Sequence, residues 1–242
     1  MSKVPPVIVA FWIVKILATT LGETGGDALS MTLGWGYAMS SLFFLAFFAV
    51  TLAVQLKTSR YHPVAYWAVV VATTSVGTTT SDYFDRTLGL GYVKSSAILL
   101  AAVIATLVVW RRTTGAIAVD HVTTRTNEVF YWVTILISNT LGTALGDFAA
   151  SSVGLGFERG TLVFGGLIVL VALAHFFTSA PKSVLFWAAY VLTRPLGATL
   201  GDTLTKPVAD GGLNLGRISS SLVIAVAMIV LVAVTRLRKR TT

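Results

Sequence analysis

Long apolar runs and short polar breaks alternate along the whole chain. Runs such as "SSLFFLAFFAVTLAVQL" and "SSLVIAVAMIVLVAV" approach the roughly 20 residues that cross a hydrocarbon core. Eight segments follow from this pattern, over 6–32, 37–57, 63–87, 92–111, 128–152, 159–178, 183–206 and 216–236. The even-numbered segments are apolar nearly throughout. The odd-numbered ones carry small, hydroxylic and acidic residues in their second halves, so the two kinds are predicted to occupy different places in the fold.

The odd segments repeat one another. Trp12, Trp67, Trp132 and Trp187 are each followed after ten residues by a glycine, at Gly22, Gly77, Gly142 and Gly197. Five positions further stand Asp27, Asp82, Asp147 and Asp202. Three copies then reach a G-x-G, "GWG" at 34–36, "GLG" at 89–91 and "GLG" at 154–156; the fourth inserts about five residues, "KPVAD", and reads "NLG" at 214–216. Four copies at one spacing mean tandem duplication. The predicted architecture is an all-α polytopic membrane protein with eight transmembrane helices in four two-helix repeats of the same orientation. The repeats run over 6–57, 63–111, 128–178 and 183–236, in a pseudo-fourfold or two-plus-two bundle that makes 1–242 a single domain. A polar connection over 112–127, "RTTGAIAVDHVTTRTN", separates the halves.

Residues four apart share a helix face. Stepping back from each aspartate by four gives Lys15–Thr19–Glu23–Asp27, then Thr74–Thr78–Asp82, Asn139–Thr143–Asp147 and Arg194–Ala198–Asp202. Each odd helix thus bears a polar stripe about 12 Å long at 1.5 Å per residue. Charged groups facing lipid cost roughly 2.5–3.5 kcal/mol each at a helix centre, so the stripes are expected to face one another and to end in a ring of four carboxylates. The spacings Gly22/Gly26, Gly142/Gly146 and Gly197/Gly201, with Gly77 and a serine in the second copy, suit close helix packing and also suit a hinge, a helix that loosens beside a cavity. The four tryptophans read as interfacial anchors.

Charge adds orientation. Of the residues 12% are charged, about half the share in soluble domains, and the net charge of +8 sits at segment ends. Lys3, Lys57, Arg60, Arg111, Arg112, Arg125, Lys182 and the tail "RLRKR" lie on one side, against Arg86, Lys94, Arg159, Lys206 and Arg217 on the other. The positive-inside bias then predicts a bacterial inner-membrane protein with both termini cytoplasmic and the tail at anionic headgroups. This distribution argues against nucleic acid. The beginning, "MSKVPPVIVAFW", shows no cleavage signal. With no cysteine in the chain, disulfides and thiolate metal centres are excluded. His62, His121 and His175 fall at or near segment ends, off every stripe.

The candidate chemistry is cation binding. Glu23, Asp27, Asp82, Asp147 and Asp202 are the predicted ligands, with Glu23, Asp27 and Asp147 as the metal-binding set. Lys15, Thr19, Thr74, Thr78, Asn139, Thr143 and Arg194 lie around them. Such hard oxygen donors suit Mn²⁺, Ca²⁺ or Mg²⁺, and an acidic pair like Glu23/Asp27 can exchange protons for a cation because like charges compete. The expectation is a secondary transporter, an exporter, for such a cation, coupled to protons and compatible with a homo-oligomer. Two alternatives stay open: a cation channel, and a non-transporting scaffold whose acids are held in salt bridges, as Asp82/Arg86 and Asp202/Lys206 at i, i+4 allow. Arg194 reads either as a counter-ion to the site or as the partner of Asp202. Asp85 beside Arg86 reads as a solvated pair. No histidine–nucleophile pair, zinc-binding helix or nucleotide loop lies on a stripe, so neither an enzyme nor a cofactor is predicted.

The tryptophan and the L/V-G-x-x-x-G/S-D core, most specifically "KILATTLGETGGDALS", resemble a bacterial family of uncharacterised membrane-anchored proteins built from four tandem two-helix repeats. The resemblance covers nearly the whole chain and implies the architecture without an activity. "ETGGDALS" is also similar, at the level of motif, to the E-x-G-D-K/R-S/T elements of calcium and manganese cation/proton exchangers, though it spaces the acids one residue further apart and lacks the following base.

Overall fold

A computed structural model describes residues 3–117 and 122–241, with side chains as far as residue 235. His121 and the basic side chains of the tail lie outside the described residues. Within them the chain forms eight α-helices and no strand: α1 (Val9–Asp27), α2 (Gly36–Lys57), α3 (Pro63–Asp82), α4 (Tyr92–Thr114), α5 (Arg125–Asp147), α6 (Gly156–Phe177), α7 (Lys182–Thr205) and α8 (Arg217–Thr241). Five stretches are long and apolar enough to cross a membrane: α2, α4, α6, residues Arg217–Thr235 of α8, and α5 with the turn that follows it. Most odd helices trade hydropathy for their stripes, and that polarity is turned inward.

The odd helices form a closed ring, α1 against α3, α3 against α5, α5 against α7, and α7 back against α1. Every outer helix leans on the inner helix of the following repeat, α2 on α3, α4 on α5, α6 on α7, and α8 returns to α1. The polar connection between the halves therefore leaves no mark on the ring, in which the α3–α5 seam is made like the others.

The glycines beside the stripes make the ring tight, at two successive turns. At the first turn, a Cβ on Gly22 would run into Thr74, one on Gly142 into Arg194, and one on Gly197 into Thr19. At Gly77 it would lie 2.9 Å from the backbone carbonyl carbon of Asn139. One turn on, a Cβ on Gly26 would stand 3.0 Å from Thr78 Cγ2, one on Gly146 3.2 Å from the Ala198 methyl, and one on Gly201 2.9 Å from Glu23 Cβ. The second copy has the buried Ser81 at this position. Each glycine thus receives the stripe residue at its own level on a neighbouring inner helix. The hinge reading of Gly22, Gly26, Gly77, Gly142, Gly146, Gly197 and Gly201 is corrected here, because the α-helices run through all seven without a break. Neighbouring side chains fill the space that a loosened helix would need, so close packing is the use the structure makes of these positions.

The predicted segment ends at 32, 87 and 152 fall where a change of helix type runs out. In the first three repeats the α-helix stops at its aspartate and continues as one π-helical turn, Ala28–Thr32, Tyr83–Thr87 and Phe148–Ser152. The G-x-G that follows turns the chain through two left-handed glycines, for example Gly34 (φ 73°) and Gly36 (φ 71°). The fourth repeat has no π turn but a loop with a short 3-10 segment, Val208–Asp210. Its "NLG" nevertheless makes the same turn, because Asn214 takes φ 52° before Gly216 at φ 80°. Asparagine is among the few residues that enter this region readily.

The tryptophan end departs from expectation. Trp67, Trp132 and Trp187 are buried and Trp12 is half-buried. They pack with Phe11, Tyr66, Tyr131, Phe186 and Tyr190 in one aromatic cluster closing the axis of the ring, with Tyr66 and Tyr131 joined hydroxyl to hydroxyl at 2.6 Å. Interfacial anchoring is therefore not their role. Outside this plug the Lys3 amide donates to Val122 O at 3.4 Å, and the Lys3 ammonium pairs with the buried Glu128 at 2.7 Å. The N-terminal segment is thus strapped across the same end.

Candidate cation site on the bundle axis

The four-residue register builds the site as a stack of levels. From the aromatic end these are Phe11/Tyr66/Tyr131/Phe186, then Lys15/Val70/Ile135/Tyr190, then Thr19/Thr74/Asn139/Arg194, then Glu23/Thr78/Thr143/Ala198, and finally Asp27/Asp82/Asp147/Asp202. Every one of these twenty side chains is buried. The predicted stripes do face one another, and they continue two turns further than their polar residues. The four-residue step already contained that signal, but apolar side chains in a hydrophobic segment do not announce which way they face.

The aspartates do not stand free. Arg86 bridges Asp82 at 2.9 Å and Asp147 at 3.2 Å. Lys206 bridges Asp202 at 3.1 Å and Asp27 at 3.0 Å, and Arg217 adds a contact to Asp27 at 3.4 Å. Asp27 and Asp147 are followed four residues on by Met31 and Ser151, yet each borrows the base of a neighbouring repeat. The fourfold ring thereby becomes two bridged pairs, arranged two plus two. Arg217 is the member that sequence reasoning missed as a ligand of the ring. It follows the inserted loop of the fourth repeat, and no spacing within the stripes points to it.

One turn further in, Arg194 Nη2 donates to Glu23 at 2.9 Å, Thr78 at 2.5 Å and Thr143 at 2.6 Å. Arg194 is thus the partner of Glu23 and not of Asp202, which corrects one of its two readings. Thr78 also donates to Glu23 at 3.1 Å. Gly26, Gly146 and Gly201 flank this level and let α1, α5 and α7 close around it. Lys15 donates to Asn139 at 3.3 Å, and Asn139 donates in turn to Thr73 at 3.0 Å. Asp85 is buried rather than solvated, and it accepts from Ser81 at 3.1 Å and from Ser95. Its neighbour Arg86 turns to the ring instead. His62 caps α3, accepting from the Ala65 amide at 3.4 Å.

Five carboxylates, Glu23 and the four aspartates, share the axis with five bases, Lys15, Arg86, Arg194, Lys206 and Arg217, so the formal charge balances. Among the described residues, Glu23, Asp27 and Asp202 bring carboxylate oxygens within 4.8 Å of one another. Oxygens that ligate one ion at 2.0–2.6 Å lie within about 4–5 Å of each other, so these three fit a hard cation. Asp147 of the expected metal set is engaged by Arg86 instead. The bases over the ring are the accessible part: the Arg86 side chain is 31% exposed and Arg217 22%, against 2–3% for the aspartates beneath.

Four consecutive stretches, residues 10–61, 65–116, 130–180 and 185–241, each match the family model Repeat of Unknown Function (DUF347). No curated protein and no solved structure matches the chain.

Proposed function

We propose, for a chain that belongs to the DUF347 repeat family, a membrane transporter that moves a hard cation, of the Mn²⁺, Ca²⁺ or Mg²⁺ class, through the carboxylate cluster in exchange for protons. The observation that carries this reading is that carboxylate oxygens of Glu23, Asp27 and Asp202 lie within 4.8 Å of one another, with Asp27 and Asp202 sharing one lysine ammonium. Lys206 acts as a tethered cation. An arriving ion competes with it for Asp27 and Asp202, and the released ammonium swings into the exposed mouth beside Arg217. When the ion or its proton replacement leaves, Lys206 returns and restores charge balance, so the acids are never bare in a low-dielectric site. The closed aromatic end and the Arg194 level argue against an open cation pore, because a fixed buried guanidinium on the axis repels a permeating cation.

In this reading all eight helices span the inner membrane, the repeats lie parallel, and the aromatic end faces the cytoplasm with both termini. The absence of cysteine makes the topology directly testable. A Ser59→Cys variant should resist an impermeant maleimide on intact spheroplasts, and Leu213→Cys should react. The reverse labelling would invert the protein.

A second reading is a static membrane scaffold held by an ion-pair core, favoured by the balance of five acids and five bases. The charge-balanced variant Asp202→Asn/Lys206→Met separates the two. Total elemental content of cells expressing the native protein should shift in one divalent metal, and proteoliposomes should move that metal down a proton gradient. The variant should insert and fold while losing at least about 90% of that flux. Unchanged flux in the variant, or no elemental change with the native protein, would favour the scaffold.

A further inference from the structure

Between the aspartate ring and the aromatic plug, two buried cations share a single acid. Lys15 and Arg194 are each 0% exposed. They project from the neighbouring helices α1 and α7, one turn apart in register. Among the described residues Glu23 is the only carboxylate paired with either, and of the Arg194 nitrogens only Nη2 reaches it. The Arg194 Nε and Nη1 atoms are buried and have no hydrogen-bond partner, and neither has the Tyr190 hydroxyl. The Lys15 ammonium makes one hydrogen bond, to Asn139, and otherwise lies 4.2 Å from the centre of the Tyr190 ring. Three guanidinium N–H groups and two ammonium N–H groups are therefore buried on the axis without an acceptor among the described residues.

Such an excess is not neutral in energy. A buried donor left without an acceptor costs about 1–3 kcal/mol, more when it is charged, and an uncompensated buried charge costs several kcal/mol. Among the described residues neither hydroxyl of the same level accepts from Lys15 or Arg194; Thr19 donates to Thr193 O at 3.1 Å and Thr74 to Ala18 O at 3.1 Å, both to backbone on the adjacent helix. What fits five donors and one surplus positive charge is a single negative charge of small size. The glycine-tight seams at Gly142 and Gly197 flank this level. A water molecule would accept from two donors and leave the charge.

We propose that a small monovalent anion of the halide class, chloride in the cell, binds on the bundle axis between Lys15 and Arg194, held by Arg194 Nε and Nη1, the Lys15 ammonium and the Tyr190 hydroxyl. The anion completes the charge of the inner levels, Lys15 and Arg194 against Glu23 and the anion. It rests on donors away from the aspartate ring and does not depend on the cation reading.

The test is thermal unfolding of the purified protein in gluconate at fixed ionic strength, with chloride or bromide replacing gluconate stepwise. Native protein should gain stability with a saturable dependence on halide, and bromide diffusion into crystals should place an anomalous peak beside Lys15 and Arg194. Lys15→Met keeps the helix and the side-chain volume. It should weaken the apparent halide affinity about tenfold or more, as the loss of a charge-assisted hydrogen bond implies. The Asp202→Asn/Lys206→Met variant should keep the native halide response whether or not it transports a cation. A native protein indifferent to halide overturns the proposal. So does a response that survives Lys15→Met undiminished, which would locate the anion at the exposed Arg86 and Arg217.

Discussion

The two ends of the inner ring are made from the same four-residue register and do opposite things. At one end the register presents Phe11, Tyr66, Tyr131 and Phe186, and the levels close by apolar burial and ring packing, with one tyrosine pair as the polar join. At the other it presents four aspartates, and the levels close only because bases reach across from neighbouring repeats. Apolar closure is indifferent to which repeat supplies a ring. Ionic closure is not: three bases have to serve four acids, and Arg86 and Lys206 each bridge a pair, so the fourfold plan falls to two plus two. Duplication supplied the symmetry, and the scarcity of bases lowered it.

Removing charge from the ionic part should have the largest effect. Arg194→Met leaves Glu23 buried without its partner, and chemical unfolding in detergent should show a loss of about 3–5 kcal/mol. The double variant Glu23→Gln/Arg194→Met should recover most of it. A single variant as stable as the native protein would mean that the charged levels do not hold the ring. Next come the seams common to both ends. Gly77→Ala places a methyl against the Asn139 backbone and should cost about 1–3 kcal/mol by the same measurement. Gly166→Ala on α6, where nothing lies within 4 Å, should change stability by no more than about 0.5 kcal/mol apart from its gain in helix propensity. Of the two ends, the aromatic one should show the smaller effect. Tyr66→Phe and Tyr131→Phe should each lose about 1 kcal/mol, and the double-mutant cycle should return a coupling of similar size. A coupling near zero would show that apolar packing alone closes that end.

The difference between the ends also governs what the sequence revealed. The stripes were legible because Glu23, Asp27, Asn139 and Arg194 are conspicuous in an apolar segment, and their spacing places them on one face without further knowledge. The aromatic levels obey the same spacing but were hidden, since Tyr66 and Phe186 in a hydrophobic run satisfy a lipid-facing reading as well as an axial one. The neighbouring tryptophans were misassigned for that reason: an interfacial preference is a property of the residue type, and the cluster that recruits them exists only once four helices meet. The glycine pairs were ambiguous on similar grounds. Gly26, Gly146 and Gly201 allow either a hinge or a seam, and only the side chains of the neighbouring helices, Thr78, Ala198 and Glu23, decide for the seam. Pairings within one repeat, Asp82–Arg86 and Asp202–Lys206, could be anticipated from an i, i+4 step. The pairings between repeats, Arg86 with Asp147, Lys206 with Asp27 and Arg217 with Asp27, depend on the order of helices around the ring. In the fourth repeat Asn214 stands where the other copies have the first glycine of G-x-G and takes the same left-handed backbone conformation.

The displaced packing of the outer helices bears on how the chain comes into being. Each repeat covers the inner helix of its successor, so α1 waits for α8, the outer helix of the fourth repeat. About 200 residues separate them, roughly 10–40 s of synthesis at 5–20 residues per second. During that interval α1 has one flank bare, and its Lys15 and Glu23 lack their contacts from α5 and α7. A chaperone or a lipid has to shelter that face, or the helix has to enter late. The same arrangement sets the terms for a shorter ancestor. A two-repeat chain has no α8 to return to α1, and its last helix must cover the first inner helix of a second copy. Two such chains would close one ring by mutual exchange, and fusing them end to end would give the present molecule without moving a single contact.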